Sequence, residues 1–133
     1  AMPGMGDRGF GRVINIASVH GLVASRDKSP YVASKFGLVG LSKVAALEYA
    51  ACGSRETGGV TVNCICPGPI RTGITAGISE EHKTIYAKRR VPLRRYGIPE
   101  EVANMTLSVV LPAASFLNGV HIPVDGGLTI KNA

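Results

Sequence analysis

The chain has 133 residues, 45% of them hydrophobic, with a net charge of +6, no tryptophan and three cysteines. That length suits one domain, and such a composition an aliphatic core. A membrane-crossing helix is excluded, since no run of about 18 apolar residues occurs, and Asp7 and Arg8 among early glycines argue against a secretory signal.

Residues 1–10 (AMPGMGDRGF) read as a tail or loop, and residues 11–133 as the structured part. Gly11 to Ala17 is a short Val/Ile-rich run, the pattern of a strand buried on both faces. Gly21 to Lys28 reads as a loop. Ser29 and Pro30 then supply a hydroxyl cap and a proline for the first helical position. The helix they open is predicted from Pro30 to Ala51, apolar around most of its circumference. It is therefore expected to pack on a sheet and on another helix or subunit.

CGSRETGG follows as a polar, turn-rich loop, and Val60 to Cys66 as the next strand, bent off by Pro67, Gly68 and Pro69. Ser79 with Glu80 and Glu81, and Pro99 with Glu100 and Glu101, start two more helices, their acidic first turns matching the macrodipole. Val120 to Val124 forms the last strand, closed by Asp125, Gly126 and Gly127. This alternation implies parallel strands joined by crossovers, an α/β fold.

Cys52, Cys64 and Cys66 form no even framework, and the last two would share one face of a strand. Buried, reduced thiols in a cytoplasmic protein are the expectation. No metal site is expected, because further ligands at suitable spacing are lacking. The cations cluster from Lys83 to Arg95 beside Tyr86 and Tyr96. Such a patch can signal nucleic acid, but no recognised module accompanies it, and it reads as a solvated helix and loop.

The chemistry concentrates in INIASVHGLVASRDKSPYVASK. Tyr31 and Lys35 stand four apart on the predicted helix, hence on one face. A phenol with a reference pKa of about 10 needs help to exchange protons near neutrality, and a neighbouring ammonium favours its phenolate. Ser18, thirteen residues before Tyr31, is delivered from a strand end and could hold a carbonyl or alcohol oxygen against the phenol. Asn15, within that strand, is read as structural, since a buried amide is costly unless hydrogen-bonded.

With RVINIAS ahead of the Tyr-x-x-x-Lys helix, VTVNCICPGPIRT after it and VHIPVDGG at the end, the sequence resembles the short-chain dehydrogenase/reductase family from about Gly11 to Gly127. The resemblance implies a Rossmann-like, three-layer parallel sheet, of which only the C-terminal half is matched. It implies hydride exchange between a nicotinamide cofactor and a secondary alcohol or ketone. Catalytic roles then fall to Ser18, Tyr31 and Lys35; Tyr31 and Lys35 would also bind the cofactor, Lys35 at the nicotinamide ribose. Pro67, Gly68, Ile70 and Thr72 would line the nicotinamide carboxamide site. The stretch around His20 and Lys28 is similar to 3-hydroxybutyrate dehydrogenases of the family, where such residues hold a substrate carboxylate.

The family's glycine-rich phosphate-binding turn and its catalytic asparagine have no counterpart in these residues. The cofactor is expected to be NAD or NADP, NAD slightly favoured by the hydroxybutyrate resemblance. The substrate is expected to be a 3-hydroxy acid or 3-oxoacyl compound, and the partners further copies of the chain, as dimer or tetramer. The competing reading is an inactive, truncated chain serving as an oligomerising or partner-binding module.

Overall fold

A computed structural model describes residues 1–131. Three parallel strands, β1 (Phe10–Ile16), β2 (Gly59–Pro67) and β3 (His121–Val124), lie in the order β1-β2-β3. Between β1 and β2 runs the long helix α2 (Ser29–Tyr49); between β2 and β3 run α3 (Glu80–Arg90) and α4 (Pro99–Val110). All seven interior residues of β2 are buried. Alternate side chains of a strand point to opposite faces, so both faces of the central strand are covered. The helices packed on it are α2 and α4, one to each face, and the architecture is layered and Rossmann-like.

The register sets Asn15 beside Cys64, and Ile16 and Ile122 on either side of Ile65. Cys64 and Cys66 share a face, as read from the sequence, and pack with Ala17 and Val39 of α2. All three cysteines are free. Two asparagines lace β2 to the approach of β3. Asn63 donates to the Leu117 carbonyl (2.9 Å) and accepts from the Val120 N–H (3.1 Å). Asn118 accepts from the Val62 N–H (2.9 Å) and donates to the Ala46 carbonyl (3.1 Å).

The structure corrects three expectations. Residues 1–10 are not a tail or loop: Met2–Arg8 form a helix, α1, with proline in its first turn and Gly9 as a left-handed C-cap. Contact with β1 overrides the weak helix propensity of its glycines. Strand β1 is only partly buried, with Phe10 and Ile16 exposed, because it lies at one edge of the sheet. Helix α2 is capped by Lys28 rather than Ser29 and has no side-chain cap bond. One face of α2 is buried against the sheet through Val39, Ser42 and Ala46, while Phe36, Leu41, Val44 and Leu47 face outward. None of the described helices is long and apolar enough to cross a membrane.

Candidate active site

β1 ends at Ile16, and the chain turns through Ala17 and Ser18 into a single 3₁₀ turn, Val19–Gly21. Ser18 is the N-cap of that turn; its hydroxyl accepts the His20 N–H at 3.1 Å. The turn sits directly on α2. A Cβ at Gly21 would lie 2.8 Å from the Lys35 carbonyl oxygen, so only glycine permits this approach. The loop then reaches Lys28 and the first turn of α2, which carries Tyr31.

These elements bring Ser18, His20, Tyr31 and Lys35 into one cluster at the carboxyl end of β1. The His20 and Tyr31 rings meet edge to face, centroids 6.0 Å apart. The Lys35 ammonium lies 5.6 Å from the Tyr31 ring centroid, within cation–π range. It also donates to the Ile16 carbonyl at 3.1 Å, tying α2 to the end of β1. Ser18 is buried, whereas Tyr31 is 46% exposed, so the phenol opens outward from a fixed floor.

Burial, then the charge of Lys28, holds His20 below the usual imidazole range. Its Nδ1 is buried without a hydrogen-bond partner among the described residues. Lys28 thus acts on the cluster through its charge, from the start of α2. Beneath the cluster, Cys66 lies close to the Ser18 backbone and to Lys35; burial, and then Cys64 beside it, push its thiol up. That proximity joins the end of β2 to the end of β1.

Pro67 closes β2, and the Gly68 N–H bonds the Val124 carbonyl at 3.0 Å. A Cβ at Gly68 would sit 2.8 Å from the Asp125 Cα, so the Pro-Gly bend and the closing Asp-Gly-Gly are in close contact. Ile70 forms a parallel bridge with Gly97, and the Arg71 N–H bonds the Gly97 carbonyl at 2.9 Å. Thr72 caps a second 3₁₀ turn, Gly73–Thr75, in which Thr75 donates to the Ile70 carbonyl at 3.0 Å. Among the described residues no hydrogen bond joins Pro67, Gly68, Ile70 or Thr72 to Tyr31 or Lys35; they form the adjoining wall.

Sequence reasoning missed what holds that wall. The Arg95 guanidinium grips Glu101 with two bonds, of 2.9 and 2.6 Å, and the Ile98 N–H adds a third at 2.9 Å. The Arg95 bonds, then the Ile98 N–H, bring the Glu101 carboxyl down to about 2. Glu101 was legible as a first-turn acid, but its partner was not. Asp125 accepts from the Gly127 and Thr129 N–H groups at 2.8 Å each, an architectural role that suits the closing motif. A cavity of about 570 Å³, lined by Ile70, Leu93, Arg95, Val124 and Asp125 among others, lies on this side. Another, of about 530 Å³, lies between Phe36, Lys43 and His121. Neither is lined by Tyr31. No group of three or more metal-ligating side chains occurs among the described residues.

In the basic stretch, Lys83 pairs with Glu80 at 2.8 Å and Arg95 with Glu101. Part of the charge is therefore spent internally.

A parallel, layered sheet with a serine at one strand end and a Tyr-x-x-x-Lys helix beside it defines a fold of the dinucleotide-binding kind. A family model described as enoyl-(acyl carrier protein) reductase matches residues 1–129. The chain belongs to the short-chain dehydrogenase/reductase family. It is 42% identical to the D-beta-hydroxybutyrate dehydrogenase of Rhizobium meliloti (strain 1021), over 98% of this chain and 53% of that protein. It is 41% identical to the 3-oxoacyl-(acyl-carrier-protein) reductase of Aquifex aeolicus (strain VF5), over 90% of this chain and 45% of that one. The gluconate 5-dehydrogenase from Burkholderia cenocepacia J2315, solved in complex with NADP and tartrate, superposes with a TM-score of 0.88 at 28% identity. That alignment covers 98% of this chain and 49% of that structure. The chain thus spans about half the length of the relatives it matches.

Proposed function

We propose that this chain carries the proton-exchanging half of an oxidoreductase that moves hydride between a nicotinamide cofactor and a secondary alcohol or ketone. The observation that carries the reading is the single cluster of Ser18, Tyr31 and Lys35, with the phenol open and the serine fixed beneath it. The residues present fit one end of such a cofactor. Lys35 keeps N–H groups beyond its bond to Ile16 for ribose hydroxyls, and the bend from Pro67 through Gly68 and Ile70 to Thr72 offers backbone and hydroxyl groups to a carboxamide. The cofactor, when bound, supplies the hydride chemistry. Tyr31 gives its proton to the substrate oxygen during reduction, or takes one during oxidation; Ser18 holds that oxygen and Lys35 favours the phenolate.

The substrate class is a 3-hydroxy acid or its 3-oxo counterpart. A ring N–H of His20 donates a hydrogen bond, and Lys28 supplies the positive charge that a small carboxylate needs. NAD is slightly preferred to NADP on the similarity to a hydroxybutyrate dehydrogenase, although a structural neighbour holds NADP. Nothing in the comparisons favours an inactive binding module, since the relatives compared are named dehydrogenases and reductases.

The test is NADH- and NADPH-dependent reduction of acetoacetate against a 3-oxoacyl thioester. Lys28→Ala and His20→Phe, which keeps the ring contact with Tyr31 and removes the donor, are each expected to raise the KM for acetoacetate by about 10–100-fold, the worth of a hydrogen bond to a charged group, and to leave the thioester largely unaffected. Equal effects on both substrates would reject the carboxylate role, and no turnover with either would reject the activity.

Further copies of the chain are its expected macromolecular partners, because Phe36, Leu41, Val44 and Leu47 leave an apolar strip of α2 outward. Sedimentation should find a dimer or tetramer; a monodisperse monomer would contradict this.

A further inference from the structure

Between β1, α2 and β2 lies a small polar junction in an otherwise apolar interface. Asn15 Nδ2 donates to Ser42 Oγ at 2.7 Å, and the Cys64 thiol donates to the same oxygen at 3.0 Å. The Ser42 hydroxyl donates in turn to the Leu38 carbonyl at 2.7 Å. A serine hydroxyl has one proton and two acceptor positions, so Ser42 is saturated. It is 2% exposed and Cys64 1%, so water does not compete for these bonds.

The position of the junction gives it meaning. Asn15 lies three residues before Ser18 on β1, and Cys64 is its register partner on β2. Ser42 follows Tyr31, Lys35 and Leu38 along one stripe of α2. The three strands of chain that meet at Ser42 are therefore the three that carry Ser18, the Tyr31–Lys35 pair and the bend after Pro67. A helix packed only by Ala and Val could rotate or slide against the sheet at little cost. Moving α2 by one residue turns it by about 100°, which would break both bonds that cross from Ser42 to the sheet, to Asn15 and to Cys64, at once. Together with the bond from Lys35 to the Ile16 carbonyl, the junction gives α2 two fixed points on β1.

We infer that Asn15 and Ser42 are positioning residues: they set the register of α2 on β1 and so place Tyr31 and Lys35 over Ser18. The inference rests on that cluster being the proton-exchanging site proposed above. The decisive variant is Asn15→Leu with Ser42→Ala, which replaces both partners by apolar groups and leaves only a weak thiol donor unpaired. It should unfold cooperatively near the wild-type midpoint. Its crystal structure should show Tyr31 displaced by about 0.5 Å or more, the tolerance of a productive site, with the Lys35–Ile16 bond lost. Its kcat should fall by about 10²-fold, as misplacement of order 1 Å can cause, with little change in KM. Ser42→Thr, which keeps the hydroxyl, should restore most of the rate.

A double variant with unmoved Tyr31 and Lys35, or with wild-type kcat, would overturn the inference. If the wild-type protein shows no turnover, the proposed activity fails, yet the displacement of Tyr31 still decides the positioning role. Should the double variant not fold, Asn15→Leu alone leaves Ser42 with two partners and tests the same displacement and rate.

Discussion

Replacing Tyr31 with phenylalanine is expected to lower nicotinamide-dependent turnover by about 10²–10⁴-fold, the contribution of a positioned general acid or base. The phenol is 46% exposed, and its ring packs edge-on to His20 and under the Lys35 ammonium. Phenylalanine preserves those ring contacts and removes only the exchangeable proton. Stability should therefore change little, and kcat should fall with kcat/KM, the pattern of an interaction made in the transition state. A Tyr31→Phe protein that turns over at the wild-type rate would mean that another group moves the proton, and the assignment of Ser18 and Lys35 would fall with it.

Ile65→Ala should be the most damaging single truncation in the core, by about 2–5 kcal/mol in chemical denaturation. Ile65 has no solvent exposure, lies in the central strand, which among the described residues is buried on both faces, and is flanked in register by Ile16 and Ile122. Its neighbours are held by parallel ladders on both sides and cannot close around the lost methyl groups. Ile65→Val, which removes a single methylene, should cost about 0.5–1.5 kcal/mol. Equal, small losses for both substitutions would show that the sheet relaxes freely, contrary to a rigid central strand. A loss of this size is a large fraction of the stability of an ordinary domain.

The proposed cluster was legible in the sequence because its signal is local: Tyr31 and Lys35 share a helix face whatever else the chain does, and Ser18 follows a strand end a short loop away. Strand β2 was legible for the same reason, as a short run rich in Val, Ile and Cys ended by Pro67 and Gly68. Helix α1 was not legible, since Pro3, Gly4 and Gly6 read as loop residues and the contact with β1 that organises them is not local. The cap of α2 was misplaced by one residue, because Ser29 and Pro30 fit the N-cap pattern while the backbone turns at Lys28. Ser42 was invisible as anything but a small residue in a helix. Its partners, 27 and 22 positions away, meet it only once β1 and β2 have paired. The Arg95–Glu101 grip was hidden for another reason, as two charges within a basic stretch look like solvated surface until the chain bends at Tyr96 and Gly97.

The two outer strands of the sheet are chemically unequal. β3 has only four residues and includes Pro123, which has no N–H to offer and interrupts any ladder on its free side. β1 has seven residues, no proline, and a side-chain row that is only half covered. An additional strand, whatever chain provides it, would therefore find continuous hydrogen-bonding along β1 and a broken template along β3. The sheet can extend in one direction, on the side away from the closing Asp-Gly-Gly. Any such extension would lie against the strand that leads into Ser18, so a neighbour acquired there would adjoin the proposed site.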